Sequence, residues 1–492
     1  MFLWLAGCVS SPIADRYDDE DHAWLRHVVV SDSRGKFDHH LLPPGYRCLE
    51  EKGRGEIEAC HLDEVFAGLA EHVIETAEPK LLIFIHGGLN APHAALRRVE
   101  KDHEKIMAAG YYPIFLNWQT GGINAYFDQI YNIRQGERVE QGPFALIAAQ
   151  RAMTPVFLAT DIAETVVTTP VTWIDQGTRL VSRVFEEFEP GDRLYDGQSW
   201  DQITHRNNLI VDSSDDEALG QLFEFGRFVL TAPFKLVTTP LIDTFGETAW
   251  NNMRRSSRAV FRQHLDFDKK HVPLDCPEDP DCRTGRGAFA QFFERLNALA
   301  GTPGYEIERG VPPRALELSI VAHSMGTIVA NDAVRDFDLQ YDNLVYLAAA
   351  SSIHHFYETV VPLLQAQHIG GAERKTRFYN LMLHPDAESH EQNYWGLLPR
   401  GSLLEWIDGM YEESDSTFDR TLGNWNNVQL AKAMLPAGAQ SQMIFKVFPL
   451  KDGYPAKHGD FTNEFEDEAG EASYNYWEAR FWGSDALAAS AR

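Results

Sequence analysis

Residues Leu316 to Asn331 read LELSIVAHSMGTIVAN, and this stretch limits the folds open to the chain more than any other. An apolar run carrying Leu318, Ile320 and Val321 leads into Ala322-His323-Ser324-Met325-Gly326, and Ile328, Val329 and Ala330 follow at once. The pattern predicts a buried strand, a sharp turn that carries a serine, and a helix. Such a turn wants small side chains two residues before and two residues after the serine, here Ala322 and Gly326; glycine is the more usual residue at the first position. A strand and helix with an incidental serine would give the same local pattern, so a nucleophilic role for Ser324 depends on partners elsewhere in the chain.

The first partner lies far upstream. Leu81-Leu82-Ile83-Phe84-Ile85 is a continuous apolar run of the kind buried on both faces of a parallel sheet, and it ends in His86-Gly87-Gly88-Leu89-Asn90. Glycines at a strand end let backbone amides turn into a site, where they stabilise a developing oxyanion. A helix over Pro92 to Ala109 and a strand over Tyr112 to Trp118 follow, which implies a parallel crossover. Ahead of these, Trp24 to Val30 is apolar, Gly55 to His61 suggests a short strand, and Asp63 to Thr76 an amphipathic helix.

Residues 119–310 break this rhythm. Helical patterns run over Ala145 to Ala163, Val171 to Phe188, Leu219 to Leu230 and Thr248 to Leu265, and Val167-Thr168-Thr169-Pro170 resembles Val237-Thr238-Thr239-Pro240. Each proline is expected to open a helix behind a capping threonine. A helical insertion over the carboxyl edge of the sheet would shape a pocket or act as a lid; the plainer reading is a subdomain used only for packing. Arg254, Arg255 and Arg258 read as a solvated basic face. Gly287 to Ala300 is a helix leading back to the sheet. Strands at Leu344 to Ala349, Thr376 to Leu383 and Met443 to Phe448 alternate with helices, Phe356 to Gln367 among them, and Ala472 to Phe481 is expected to close the chain as a helix. Residues 388–440 form a smaller, aromatic excursion. The expected class is α/β with a mostly parallel central sheet. The expected organisation is a signal-like segment at 1–8, a linker and small leading subdomain at 9–78, core at 79–118, insertion at 119–310, and core again at 311–492.

A serine hydroxyl is a weak nucleophile at neutral pH and needs a histidine base held by a carboxylate. With a strand–serine turn–helix the chain order is serine, acid, histidine. His458 sits just past the last expected strand in a loop with Gly453, Pro455 and Gly459, where the base belongs. Asp386, in Leu383-His384-Pro385-Asp386, is the first choice of acid; Glu388 is a close rival, and Asp408 and Asp452 are more distant ones. His323 is expected to pack or hydrogen-bond beside the turn, and His354-His355 either to line the pocket or to start a helix.

Leu82 to Asn90, Phe115-Leu116-Asn117-Trp118 and Ile320 to Gly326 together resemble the α/β-hydrolase superfamily, nearest to bacterial serine esterases and lipases with an AHSMG turn. The resemblance spans roughly 80–120 and 315–460 and leaves the insertion aside. It implies a Ser324–His458–Asp386 triad, acyl-ester chemistry and no cofactor. It also implies that the amides of Gly88 and Met325 receive the oxyanion, with Gly87, Leu89 and His323 beside the substrate. It does not carry a substrate with it. The expectation is therefore an ester hydrolase, with a lipidic substrate suggested by the apolar insertion. The alternatives are an amidase, thioesterase or lactonase using the same triad, or a silent envelope scaffold that binds a partner through the insertion.

Charge and cysteines bound the setting. The net charge is 44 − 72 = −28, which opposes nucleic-acid binding and a broad hold on anionic membranes. No HExxH, spaced His/Cys cluster or phosphate-binding glycine loop is present, so metal is not expected. Cys48 with Cys60, and Cys276 with Cys282, are close enough in sequence to close small disulfide rings of the kind found in exported proteins. Cys8 ends Leu5-Ala6-Gly7-Cys8, which resembles a bacterial lipoprotein cleavage box. Met1 to Leu5 is short for a signal and lacks Lys and Arg, so the true start is expected upstream. No apolar run is long enough to span a membrane. The expected location is the bacterial periplasm or outer membrane, through a lipid on Cys8.

Overall fold

The computed structural model describes residues 22–121 (52, 89 and 91 excepted), 245–261, 286–300, 316–391, 401–412, 416–448, 454–466 and 473–482, and short pieces at 133–134, 137–138, 153–170 (157, 162, 164 and 168 excepted) and 209–210. Two compact units are resolved. The first takes residues 1–84, 90–119 and 256–317, and the second 85–89, 120–255 and 318–492.

In the first unit, strands β1 (Val28–Ser31), β2 (Lys80–Ile85) and β3 (Tyr112–Trp118) lie in the order β1-β3-β2. β1 pairs with β3 in parallel, Val28 opposite Phe115 and Ser31 opposite Trp118. Every residue of β1 and β3 is buried, which is why both read as near-continuous apolar runs rather than alternating ones. Three helices belong to this unit: α1 (Arg54–Glu75), α2 (Pro92–Ala108) and α3 (Ala288–Ala300). α3 stacks Phe292 on Phe66 of α1, with ring centroids 5.5 Å apart. Gln291 donates to Glu58 at 2.8 Å and Arg295 pairs with Asp63. His61 joins α1 to β1: one ring nitrogen lies 2.7 Å from the Val28 carbonyl, the other 3.0 Å from the Tyr46 hydroxyl. Burial lowers its pKa to about 4, so the ring is neutral and serves the carbonyl as donor and the hydroxyl as acceptor.

In the second unit the order is β7-β8-β9-β10-β6, formed by β7 (Glu317–His323), β8 (Asn343–Leu347), β9 (Arg377–Leu383), β10 (Met443–Phe448) and the two-residue β6 (Leu209–Ile210). All of these pairings are parallel. Helices α4 (Gly326–Asp336) and α5 (Ile353–Ile369) carry the chain between successive parallel strands, as parallel pairing requires. Asp342 fixes the entry to two strands: its carboxylate accepts from the Leu318 amide at 2.7 Å and pairs with Arg374. Two small antiparallel hairpins, β4 (Ile133–Arg134) with β5 (Glu137–Arg138) and β11 (Phe465–Glu466) with β12 (Ser473–Tyr474), stand apart from the parallel strands. The chain is thus of the α/β class with parallel strands. Among the described residues no helix is long and apolar enough to cross a membrane.

The strands expected at Tyr112–Trp118 and Met443–Phe448 form with those bounds, and the others shift by a residue or two. Three expectations are corrected. Gly55–His61 is not a strand but the start of α1: Ile57, Glu58, His61, Leu62, Val65 and Leu69 are buried at helical spacing, a period hidden by the polar residues on the inner face. The segment Ala472–Phe481 splits into β12 and a short helix, α10 (Ala479–Trp482). Thr169 lies within a helix that includes 165–167 and Pro170, so it does not cap a helix opened by that proline. Helix α6 (Pro385–His390) leads into the 388–440 excursion, which contains the short helices α7 (Leu403–Trp406), α8 (Trp425–Met434) and α9 (Ala437–Gln440). The second Val-Thr-Thr-Pro segment, the helices expected at 171–188 and 219–230, Cys8 and the Cys276/Cys282 pair lie outside the described residues.

Cys48 and Cys60 are disulfide-bonded across 12 positions, tying the turn before α1 to its first coils. A ring of that size is worth about 3 kcal/mol through the unfolded chain. The Cys48→Ala/Cys60→Ala variant is therefore expected to unfold at lower urea, by about 1 M for a slope near 3 kcal/mol/M. An unchanged midpoint would show that the bond contributes nothing to stability.

Candidate functional site

All parts of the site that the structure describes fall in the second unit, which includes the 85–89 loop after β2. β7 ends at His323, Ser324 takes φ +51°, and α4 starts at Gly326. A left-handed backbone on a non-glycine residue is costly, of order 1–3 kcal/mol, and persists only where surrounding bonds over-determine it. Here they do. The Ser324 amide donates to the Leu347 carbonyl at 2.8 Å, and the Ser324 carbonyl accepts from the Ala350 amide at 3.1 Å and the Thr327 hydroxyl at 2.7 Å. Thr327 Oγ1 in turn accepts from the Ser351 amide at 3.0 Å. The end of β8 thus grips the serine turn from both sides of its peptide.

Close packing explains the two small residues most relevant here. A Cβ on Gly326 would lie 2.4 Å from the Ile85 carbonyl oxygen and 2.7 Å from that of His86; one on Gly87 would lie 2.8 Å from Ser324 Cβ and from His323 Nδ1. The glycine loop and the serine turn therefore touch backbone to backbone. Gly88 lies beside Met325, its ideal Cβ falling 3.3 Å from Met325 Sδ. The Gly87 carbonyl accepts from Thr120 Oγ1 at 3.4 Å and lies 2.8 Å from His86 Nδ1. In a trans peptide the next amide points the opposite way, so these contacts fix the direction of the Gly88 N–H.

His458 begins a short 3-10 turn, His458–Thr462. Its Nε2 is 2.9 Å from Ser324 Oγ. The turn is held from within by Asp460, whose carboxylate accepts from the amides of Ala456 and Lys457, and from outside by two side chains on the His458 peptide. Glu391 Oε2 accepts from the His458 amide at 2.9 Å, and His323 Nε2 lies 3.0 Å from the His458 carbonyl. Burial lowers the His458 pKa to about 4, so the imidazole is neutral at pH 7. With Nε2 unprotonated, the Ser324 hydroxyl donates to it and the ring proton sits on Nδ1. Among the described residues, Nδ1 has no hydrogen-bond partner.

The expected acids are disposed differently. Asp386 is the second residue of α6, and its side chain lies outside what is described, as do Leu89 and Asp452. Glu388 is buried without a hydrogen bond to the imidazole, accepting from Ser402 Oγ at 2.6 Å and Asn424 Nδ2 at 3.4 Å, and burial holds its pKa well above the usual carboxylate range. Asp408 accepts from the Thr421 amide and hydroxyl and from Asn427, a structural tie inside the excursion. His355 reaches Asp332 of α4 at 3.2 Å and His354 reaches Glu358 at 3.1 Å, so both serve packing around α5. Arg254 pairs with Glu412. Glu391, Thr327 and Thr120 went unread in the sequence: Glu391 meets His458 across 67 positions, and no local pattern marks such a contact. Compared with models of protein families, with curated proteins and with solved structures, the chain matches none.

The buried histidines set a pH response. His384 and His458 are lowered to about 3 and about 4 by burial, from 6.5. Each is neutral in the fold and protonates more readily when unfolded, so its stabilisation is complete above pH 6.5 and is lost as pH falls toward 4. Between pH 6.5 and 4 the urea midpoint of His384→Gln is expected to fall less than that of the wild type, since the variant lacks one imidazole that is neutral only in the fold. Equal falls in the two proteins would contradict a neutral His384 in the fold.

Proposed function

We propose that this protein is a serine hydrolase of α/β-hydrolase type that cleaves carboxylic esters through an acyl-enzyme. The observation that carries the reading is the 2.9 Å approach of His458 Nε2 to the hydroxyl of a serine held in a left-handed turn between strand and helix. Strain of this kind at a strand end is how such a turn presents its oxygen.

In the proposed reaction Ser324 Oγ bonds to the substrate carbonyl carbon while its proton passes to His458 Nε2. The carbonyl oxygen becomes an oxyanion received by the amides of Gly88 and Met325. The intermediate collapses, the ester C–O bond breaks, and His458 returns the proton to the departing alcohol. Water, deprotonated by His458, then releases the acid and restores Ser324. Asp386 is the proposed acid, accepting from Nδ1–H and stabilising the imidazolium that forms. Gly87, Leu89 and His323 are proposed to bind the substrate, a reading supported by the packing of Gly87 against His323 and Ser324. The helical segments between Trp118 and the serine turn are proposed to form the acyl-binding side of the site, which favours lipidic esters. No cofactor takes part. The same groups would serve an amide, thioester or lactone.

Export with a lipid anchor on Cys8 is proposed alongside, supported by the Cys48–Cys60 bond, since structural disulfides persist in oxidising compartments. The full-length precursor is expected to incorporate labelled fatty acid, and Cys8→Ala is not; equal incorporation in both would refute the anchor.

Ser324→Ala and His458→Ala are each expected to lower kcat on p-nitrophenyl esters by 10³-fold or more, of the order found when a triad member is removed, with both variants folded by circular dichroism. Hydrolysis that survives in folded Ser324→Ala would remove the mechanism. A dead variant at another histidine beside an active His458→Ala would reassign the base.

A further inference from the structure

The base in this site is held by its backbone. The peptide of His458 is engaged at both polar atoms by side chains from two distant places. Its amide donates to Glu391 Oε2 at 2.9 Å, just past α6, and its carbonyl lies 3.0 Å from His323 Nε2, the residue before the serine. All three residues are buried, at 8% or less relative exposure. Because the His323 contact is to a carbonyl, Nε2 carries the proton and donates. The imidazoles of His323 and His458 sit with centroids 5.1 Å apart and planes tilted by 49°. Within its own segment, the turn is closed by Asp460, whose carboxylate accepts from the amides of Ala456 and Lys457, so the two distant side chains are what tie it to the serine turn and to the end of α6.

From this we infer that Glu391 and His323 are positioning residues that clamp the His458 peptide and thereby set the Nε2–Ser324 distance. Glu391 acts through an amide and not through the imidazole ring. The clamp links the nucleophile and base directly: His323 is peptide-bonded to Ser324 and hydrogen-bonded to His458. Movement of the serine turn is thus transmitted to the base. Misplacement of a base by about 1 Å costs on the order of 10²-fold in rate, whereas a residue that only stabilises the fold would not separate kcat from KM.

The inference rests on the hydrolase reading, and its test separates the two. Glu391 would be replaced by Ala, which removes the acceptor, and by Gln, which keeps a carbonyl oxygen without the charge. His323 would be replaced by Ala and by Gln, which keeps a donor. Each variant would be assayed with a p-nitrophenyl ester and for fluorophosphonate labelling of Ser324. Amide exchange of the peptide containing His458 would be followed by mass spectrometry.

Glu391→Ala is expected to lower kcat roughly 10²-fold with KM little changed, and to speed exchange at His458. Glu391→Gln should recover most of both, and His323→Gln should exceed His323→Ala. If Glu391→Gln is as slow as Glu391→Ala while exchange stays protected, the charge acts on the ring and the clamp is overturned. Wild-type kcat and exchange in Glu391→Ala would overturn it equally. An unlabelled Ser324 in the wild type removes the hydrolase reading and the inference with it, whereas a labelled Ser324 with unchanged variants removes only the clamp.

Discussion

The close approach of two backbones, the loop after β2 and the turn after β7, is the contact on which the site depends. Gly326 lies so near the carbonyl oxygens of Ile85 and His86, and Gly87 so near Ser324 Cβ, that neither position has room for a side chain. That contact holds the strained Ser324 peptide in place, sets Gly88 beside Met325, and directs His323 toward the loop that carries His458. The strain is offset locally by bonds from the end of β8, where Ala348 is also left-handed at φ +45° and Gly423 packs against the Ala349 amide.

Local pattern made some of this legible. The runs that became β2, β3, β7 and β10 are buried on both faces, so composition alone marked them. Ser324 and its flanking small residues were legible because turn sterics act within five positions. His458 was legible by position: it follows the last parallel strand, and the structure brings it to 2.9 Å from Ser324 Oγ. α1 was misread at its start because its inner face buries Glu58 and His61, polar residues that disguise a helical period. Glu391 was invisible for a different reason. Its partner is a backbone amide 67 positions away, and backbone groups leave no mark in the sequence.

The acid shows where position ceases to decide. Three of the carboxylates that the sequence offers after β9, Asp386, Glu388 and Asp408, and one that it does not mark, Glu391, lie among the described residues. Glu388 and Asp408 are committed to neighbours inside the excursion, and Glu391 is committed to a peptide. Asp386, the second residue of α6 and three positions past the end of β9, keeps the role proposed for it. A neutral buried imidazole with its pKa lowered to about 4 gains basicity when a carboxylate joins its Nδ1–H. The orienting acid would therefore raise His458 toward the range where a general base works at neutral pH.

The central claim is that Ser324 is a nucleophile activated by His458. It is tested most directly by reacting the native protein with a fluorophosphonate and mapping the adduct by peptide mass spectrometry. The account predicts one adduct, on Ser324 in the peptide spanning the β7–α4 turn, formed far more slowly in His458→Ala. An adduct on another residue, or none at Ser324 while ester turnover proceeds, would contradict it.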